Sequence, residues 1–162
     1  MSVLLIDGRS GSGKTTLAER IAAETGAQTL HLEHLYPGWD GLAEGSAAVA
    51  TALDSGEYRR YDWVIGEFSA EPMRLDPARP LVIEGCGAIT RANLAAARRW
   101  LERHGLPSGV HGIWLELGEG ERRARALARD GDTFAPHWER WAKQEDAHFE
   151  VHEPWALASL VN

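Results

Sequence analysis

The 162-residue chain is poor in cysteine, in lysine and in long apolar runs. Because Cys86 is the only cysteine, an internal disulfide is impossible and a zinc site built from several cysteines is excluded. No apolar run reaches about 18 residues, the length of a membrane span, and no basic segment followed by an apolar one opens the chain. We therefore expect a cytoplasmic protein that does not contact a membrane.

Positive charge is scarce as well. The formal net charge is -7, and Lys14 and Lys143 are the only lysines. Sequence-independent binding of nucleic acid needs many basic side chains that contact phosphates, so we expect a small-molecule partner and no nucleic acid. The length suits a single domain over residues 1–162, and the sequence leaves both a monomer and a homodimer open.

Apolar segments alternate with amphipathic ones along the chain. The pattern predicts strands at residues 3–7, 27–36, 80–84 and 110–117 and a last short strand within 157–162. It predicts helices at residues 14–24, 90–104, 118–131 and 136–149. Such alternation is typical of an α/β fold in three layers, with a central parallel sheet of about five strands and helices on both faces.

Two stretches depart from this alternation. Residues from about 36 to 80 contain scattered prolines and glycines and one convincing helix, at 41–56, which indicates a short substrate-binding insertion. Residues from about 129 to 137 include the junction of two predicted helices, and they have the length of a short lid.

The segment "GRSGSGKT", residues 8–15, matches G-x-x-x-x-G-K-[ST] in full. In this motif the glycines let backbone N–H groups surround phosphate oxygens, the lysine reaches the β- and γ-phosphates, and the hydroxyl of Thr15 ligates magnesium. We call residues 8–15 the phosphate loop. The motif and the residue after it predict the ATP-binding residues Gly8, Arg9, Ser10, Gly11, Ser12, Gly13, Lys14, Thr15 and Thr16.

Other segments narrow the class of nucleotide-binding protein. The N-K-x-D motif that reads guanine in switch GTPases is missing, and the chain is too short for large remodelling ATPases. The order "GRSGSGKTT", "HLEHLYPGWDGL", "LVIEGCGAI" and "RARALARDGDTF" resembles the uridine kinase and nucleotide kinase group of P-loop kinases over nearly the whole chain. This resemblance implies the P-loop NTPase fold, with ATP and Mg²⁺ as cofactors.

The same resemblance implies transfer of the γ-phosphate to a small acceptor, first of all a hydroxyl or phosphate of a nucleoside or nucleotide. Kinases of gluconate, shikimate, a coenzyme precursor or an antibiotic share the fold and stay open. A regulatory module that binds nucleotide without efficient phosphotransfer is the alternative from another class. Scattered rather than clustered arginines in the insertion favour an uncharged acceptor.

Two carboxylates lie toward the carboxyl ends of predicted strands beside the phosphate loop. Glu33 matches the position of the catalytic base in uridine-kinase-like enzymes, although an aspartate is usual there and His34 replaces a small or acidic residue. Phosphoryl transfer to a hydroxyl uses such a carboxylate to accept the proton. Glu84 closes the apolar strand "LVIE", where a charge is costly unless it is paired or bound to a cation. Together with the resemblance, this places Glu84 in the expected coordination shell of the magnesium. A solvated strand end for Glu33 and an arginine partner for Glu84 are the alternatives.

Three arginines lie on one face of the predicted helix at 118–131. Arg122, Arg125 and Arg129 are spaced at i, i+3 and i+7. By the resemblance, Arg129 and then Arg125 stabilise charge on the transferred phosphoryl group, as catalytic residues together with Lys14 and Glu33. The alternative is a solvated face paired with nearby glutamates, which we expect for Arg123 and allow for Arg122.

Aromatic and acidic residues of the insertion are candidates for binding the acceptor. Tyr36, Trp39 and Asp40 follow the proposed base closely, and Trp63 lies further along. A ring that stacks and a carboxylate that accepts hydrogen bonds suit a planar or hydroxylated molecule. The alternative is that the tryptophans are core residues of the insertion.

The segment "HLEH" also raises the possibility of zinc. If it continues the strand, His31 and His34 point to opposite faces and do not share a metal. The remaining histidines have no recognised ligand spacing. We therefore expect no transition-metal site, and we expect Cys86 to be a packing residue.

Overall fold

A computed structural model describes residues 2–107 and 109–162. Its centre is a five-stranded, all-parallel sheet in the order β2-β7-β1-β8-β9. Hydrogen-bonded register runs from Val3 to Gly8 of β1 along β8, and from Val3 to Ile6 along β7. The strands are β1 (Val3–Gly8), β2 (Gln28–His31), β7 (Leu81–Glu84), β8 (Val110–Leu115) and β9 (Leu160–Val161).

Helices cover both faces of this sheet, as the sequence predicts. Successive side chains of β1 point to opposite faces: Val3 and Leu5 join the larger core cluster, whereas Leu4 and Ile6 contact the smaller one. One helix contributes a buried residue to the smaller cluster, and four helices contribute buried residues to the larger one. The helices are α1 (Lys14–Thr25), α2 (Leu42–Ser55), α3 (Arg91–Arg103), α4 (Glu119–Asp130), α5 (Trp138–His152) and α6 (Pro154–Leu157).

Helix ends follow local sequence signals. The Thr90 hydroxyl accepts a hydrogen bond from the Asn93 N–H and so caps α3, as its residue type predicts. Gly26 ends α1 in the left-handed conformation. No helix in the described part of the chain combines the length and the apolar character needed to cross a membrane.

The stretch predicted as an insertion consists of two parts. Helix α2 belongs to the helical layer of the domain, because Val49 and Leu53 are fully buried in the larger core cluster. The residues after it form two small antiparallel pairs of strands. These are β3 (Glu57–Tyr58) with β6 (Met73–Arg74), and β4 (Tyr61–Asp62) with β5 (Glu67–Phe68).

The predicted second strand is too long. β2 ends at His31, and a 3₁₀ turn, Leu32–His34, follows. Leu32, Leu35 and Tyr36 are all buried, a spacing of three and four residues that a helical turn satisfies and an alternating strand does not. The argument from strand geometry about the two histidines was therefore wrong. The rings of His31 and His34 lie 5.3 Å apart, edge to face.

Candidate functional site

The phosphate loop connects β1 to α1 at the carboxyl edge of the sheet, where ligands bind in open α/β folds. Gly11 and Gly13 have φ angles of 80° and 95°, which glycine adopts without strain. A Cβ atom at Gly11 would lie 2.1 Å from the carbonyl oxygen of Arg122, so only glycine fits where α4 packs against the loop. The loop therefore keeps the backbone shape that the motif predicts.

Polar groups of the loop are oriented for an anion. The first turn of α1 has no capping side chain, so its backbone N–H groups are free for a ligand. Among the described residues, the buried hydroxyl of Ser12 has no hydrogen-bond partner. The ammonium of Lys14 donates to the carbonyl oxygen of Arg9 over 2.9 Å. This donor set fits the phosphates of a nucleoside triphosphate.

Glu84 lies at the end of β7, next to the phosphate loop. The Thr15 hydroxyl donates to its carboxylate, with both oxygens at 3.3 Å, and His31 Nδ1 lies 2.6 Å from Oε1. The hydrogen bond to Glu84 raises the pKa of His31 above its ordinary value, although burial opposes this. A hydroxyl and a carboxylate side by side are oxygen ligands of the kind that Mg²⁺ prefers, so these residues fit a magnesium ion.

Glu33 lies in the 3₁₀ turn after β2, with an exposed side chain. Its backbone carbonyl accepts a hydrogen bond of 3.0 Å from the indole N–H of Trp63, which is on the turn between β4 and β5. The insertion therefore contacts the candidate base directly. The sequence analysis considered Trp63 for contact with the acceptor or for the core of the insertion, and it did not predict this contact with Glu33.

One cavity of about 460 Å³ brings most of the predicted residues together. We call it the central cavity. Its floor is the phosphate loop and its wall is largely aromatic. Among the described residues that line it are Ser10, Gly11, Lys14, Thr15, Glu33, Tyr36, Trp39, Trp63, Glu84, Arg129, Phe134 and Trp141.

The wall of the central cavity joins the insertion to the segment predicted as a lid. This segment consists of two 3₁₀ turns, Gly131–Thr133 and Ala135–His137. Trp39 stacks on His137 and on Phe134, with ring centres 4.3 and 5.4 Å apart. Much of Trp39 is thus covered by the chain's own rings, so the core role considered for this tryptophan is realised alongside its place in the wall.

Asp40 does not line the central cavity. Its carboxylate pairs with the guanidinium of Arg140 on α5, at an exposed position. A contact between Asp40 and an acceptor in this cavity therefore has no support from the geometry.

The three arginines of α4 have different environments. Arg122, for which a solvated position was one alternative, is buried, and its guanidinium donates to the carbonyl oxygens of Ser10 and Leu117. Arg125 is exposed and pairs with Glu121, one turn earlier. It lines an outer depression of about 450 Å³ that shares Gly11, Lys14, Thr15 and Arg129 with the central cavity.

Arg129 lies at the junction of these two hollows. Two nitrogens of its guanidinium, Nε and Nη2, donate to the same carboxylate oxygen of Asp130, over 2.9 and 2.6 Å. The side chain of Arg129 is therefore next to both hollows and to Gly11 and Lys14, which line them as well.

Solved structures share this arrangement of strands and helices. A structure described as a possible uridine kinase from Bacillus stearothermophilus superposes with a TM-score of 0.59 at 19% identity, over 99% of this chain and 87% of that chain. A gluconokinase from Sinorhizobium meliloti gives 0.52 at 19% identity, over 91% and 74%. A shikimate kinase from Bacteroides thetaiotaomicron gives 0.53 at 13% identity, over 99% and 85%. The fold is that of the P-loop kinases.

The likeness is one of fold. No protein-family model matches the sequence, and no curated protein matches it significantly. The acceptors named for these kinases differ, so the shared fold does not determine an acceptor for this chain. The residues that line the central cavity carry that information.

Asp7 is a residue at the site that sequence reasoning missed. It ends the apolar part of β1 and is fully buried. Its carboxylate accepts hydrogen bonds of 2.7 to 3.0 Å from the backbone N–H groups of Gly8, Gly87 and Ile89. It thereby ties the phosphate loop to the turn after β7. The signal that pointed to Glu84, an acid that closes an apolar strand, is also present at Asp7.

Burial raises the pKa of Asp7 to about 7 from an ordinary value of 3.8, and the three N–H donors only partly oppose this. Between these two pH values the folded protein binds more protons than the unfolded chain. The contribution of Asp7 to the free energy of unfolding therefore falls as pH rises from about 4 to about 7.

The variant Asp7→Asn tests this. We expect it to be less stable by about 1 to 3 kcal/mol. The NH₂ group of asparagine does not accept a hydrogen bond, so it leaves at least one buried backbone N–H without an acceptor. We also expect it to lose the pH dependence that Asp7 contributes. Urea unfolding of both proteins at about pH 5 and about pH 8 measures both effects. If the free energy of unfolding changed equally with pH in the two proteins, the raised pKa of Asp7 would be contradicted.

Proposed function

We propose that this protein is an ATP- and Mg²⁺-dependent phosphotransferase that moves the γ-phosphate of ATP to a hydroxyl of a small uncharged acceptor, with a nucleoside as the first candidate. The observation that carries the proposal is the central cavity itself. It joins Lys14 and Thr15 of the phosphate loop to two carboxylates and an aromatic wall. A site that only bound nucleotide would not need the additional space that the aromatic wall encloses beside the phosphate loop.

Each group has a role that its position supports. Lys14 and the N–H groups of the loop hold the phosphates, while Thr15 and Glu84 hold the magnesium ion, which neutralises developing charge when bound. Glu33 accepts the proton of the acceptor hydroxyl. Arg129 contacts the phosphoryl group in transfer.

The lining of the central cavity favours an uncharged acceptor. Of the described residues that line it, only Lys14 and Arg129 are basic, and both serve the transferred phosphate. Glu33, Glu84 and Asp130 give the lining three carboxylates, which disfavour an acceptor with its own carboxylate or phosphate. The rings of Tyr36, Trp39, Trp63, Phe134 and Trp141 favour a flat molecule.

The test is acceptor-dependent release of ADP. The protein is incubated with ATP and Mg²⁺ and with uridine, cytidine, adenosine, gluconate or shikimate, and ADP is measured by a coupled assay. We expect at least one nucleoside to raise ADP release clearly above the rate without acceptor. We expect gluconate and shikimate, which each have a carboxylate, to leave the rate of ADP release unchanged. Mass spectrometry then identifies the phosphorylated product.

Two results would contradict the proposal in different ways. Stimulation by gluconate or shikimate alone would overturn the uncharged acceptor. Nucleotide binding without stimulation by any compound of a wider panel of alcohols would favour a regulatory module. A non-hydrolysable ATP analogue in a thermal-shift screen widens the search for acceptors, because a bound acceptor raises the melting temperature.

A further inference from the structure

A buried carboxylate from another part of the chain contacts the phosphate loop. Glu145 of α5 is 1% exposed, and its Oε1 accepts a hydrogen bond of 2.7 Å from the backbone N–H of Ser10. The guanidinium of Arg9 lies 3.7 Å from Oε2, but it pairs more closely with Asp146, at 2.7 Å, so it offsets the charge of Glu145 only in part. None of the roles proposed above uses Glu145. A buried charge without a role is costly, so the contact needs an explanation.

The contact acts on one peptide group. The N–H of Ser10 and the carbonyl of Arg9 belong to the same planar peptide unit. The N–H donates to Glu145, and the carbonyl oxygen accepts the bond of 2.9 Å from the ammonium of Lys14. Because the unit is rigid, a partner that fixes the N–H also fixes the direction of the carbonyl.

This peptide has little other support. β1 ends at Gly8 and α1 begins at Lys14, so residues between them lie outside regular secondary structure. The N–H of Ser12 bonds to the Arg9 carbonyl over 3.2 Å, and Arg122 donates to the carbonyl of Ser10. Among the described contacts, Glu145 is the acceptor for the N–H of Ser10.

Glu145 also contacts the wall of the central cavity. The Cys86 thiol donates to Oε1 over 3.2 Å, and burial raises the pKa of this thiol to about 12, so Cys86 is a packing residue and not a nucleophile. Trp141, one turn earlier on α5, lines the cavity and packs on Tyr36 with ring centres 4.8 Å apart. The same carboxylate thus joins the acceptor wall to the phosphate loop.

We propose that Glu145 is a positioning residue, which sets the orientation of the Arg9–Ser10 peptide and through it the position of the Lys14 ammonium. This inference rests on the proposed binding of ATP by the phosphate loop. It gives α5, which follows the lid segment in the chain, a direct connection to the nucleotide site.

A double-mutant cycle with Lys14 tests the proposal. The probe is the non-hydrolysable analogue AMP-PNP with Mg²⁺, and its dissociation constant is measured by titration calorimetry. We expect Glu145→Ala to weaken binding about tenfold, the size expected for one charge-assisted hydrogen bond. In a protein that already carries Lys14→Ala, we expect the same change to weaken binding less than about twofold, because both residues act on one contact.

Two further variants separate positioning from folding. Glu145→Gln keeps an acceptor for the N–H of Ser10, so we expect it to stay within about threefold of the original affinity. Glu150→Ala, at an exposed position of the same helix, should bind like the unchanged protein. Far-UV circular dichroism of each variant reports whether it is folded.

Three results would overturn the proposal. Additive losses in the cycle would mean that Glu145 does not act through Lys14. Equal losses in Glu145→Gln and Glu145→Ala would mean that the acceptor for Ser10 is not what matters. Unchanged affinity in Glu145→Ala, with normal binding by the original protein, would remove the role of Glu145 alone. Failure of the original protein to bind AMP-PNP would instead overturn the proposed function, and this inference with it.

Discussion

Lys14→Ala is expected to lower the rate of phosphoryl transfer by about a thousandfold, the low end of the effect of a cation that contacts the transferred phosphoryl group. The ammonium lies in the loop, and both hollows that meet there are lined by Lys14. In the transition state its positive charge stabilises the negative charge on the phosphoryl oxygens. Among the described residues that line either hollow, Lys14 is the only lysine. Steady-state release of ADP with the acceptor found in the panel measures the loss.

The other lysine of the chain provides the matched control. Lys143 is exposed on α5 and does not line either hollow, so Lys143→Ala removes the same charge without touching the site. We expect this control to keep full activity. The circular dichroism spectrum of Lys14→Ala should match that of the unchanged protein, because the backbone of the loop keeps its glycines. Full activity in Lys14→Ala would overturn the assignment of the phosphate loop.

Glu33→Gln is expected to lower kcat by about a hundredfold while leaving the KM for ATP unchanged. Glutamine has the shape of glutamate but does not accept the hydroxyl proton, and general bases contribute about a hundredfold or more. We expect the low end of that range because the side chain of Glu33 is exposed, so water shares its role. The backbone bond from Trp63 is retained in the variant, and the turn therefore keeps its place.

Glu44→Gln is a suitable control, since Glu44 is an exposed glutamate in the first turn of α2 and does not line the central cavity. We expect its kcat to equal that of the unchanged protein. If Glu33→Gln kept its kcat within about twofold, Glu33 would not be the base, and another group of the cavity would have to accept the proton.

The phosphate loop could be predicted because the information is local. Its glycines, Lys14 and Thr15 all lie within residues 8–15, and the positive φ angles of the glycines are typical of that residue type. Apolar strands and capped helices are equally local, so α3 and its Thr90 cap were predicted correctly. The second strand was predicted too long because a short segment rich in apolar residues is compatible with a strand or a helical turn, and the burial of residues 32, 35 and 36 together shows the turn.

Contacts between distant residues could not be predicted. Glutamates at helical spacing left a surface position open for Arg122, yet its buried side chain donates to the carbonyl oxygen of Ser10. Asp40 looked like a contact for the acceptor, whereas Arg140, far along the chain, pairs with it. Spacing within a segment does not contain such information, because a side chain's partner depends on how whole elements pack.

The sequence by itself determined the fold class, the backbone shape of the phosphate loop and the order in which the candidate catalytic residues occur, because local patterns and a motif encode each of them. Only the tertiary structure decided which of these residues share a cavity and what that cavity favours. The aromatic wall, the Trp63 contact to Glu33 and the Glu145 contact to Ser10 all join elements far apart in the chain. Their geometry arises when the helices and the insertion close over the sheet, a packing that no short segment specifies.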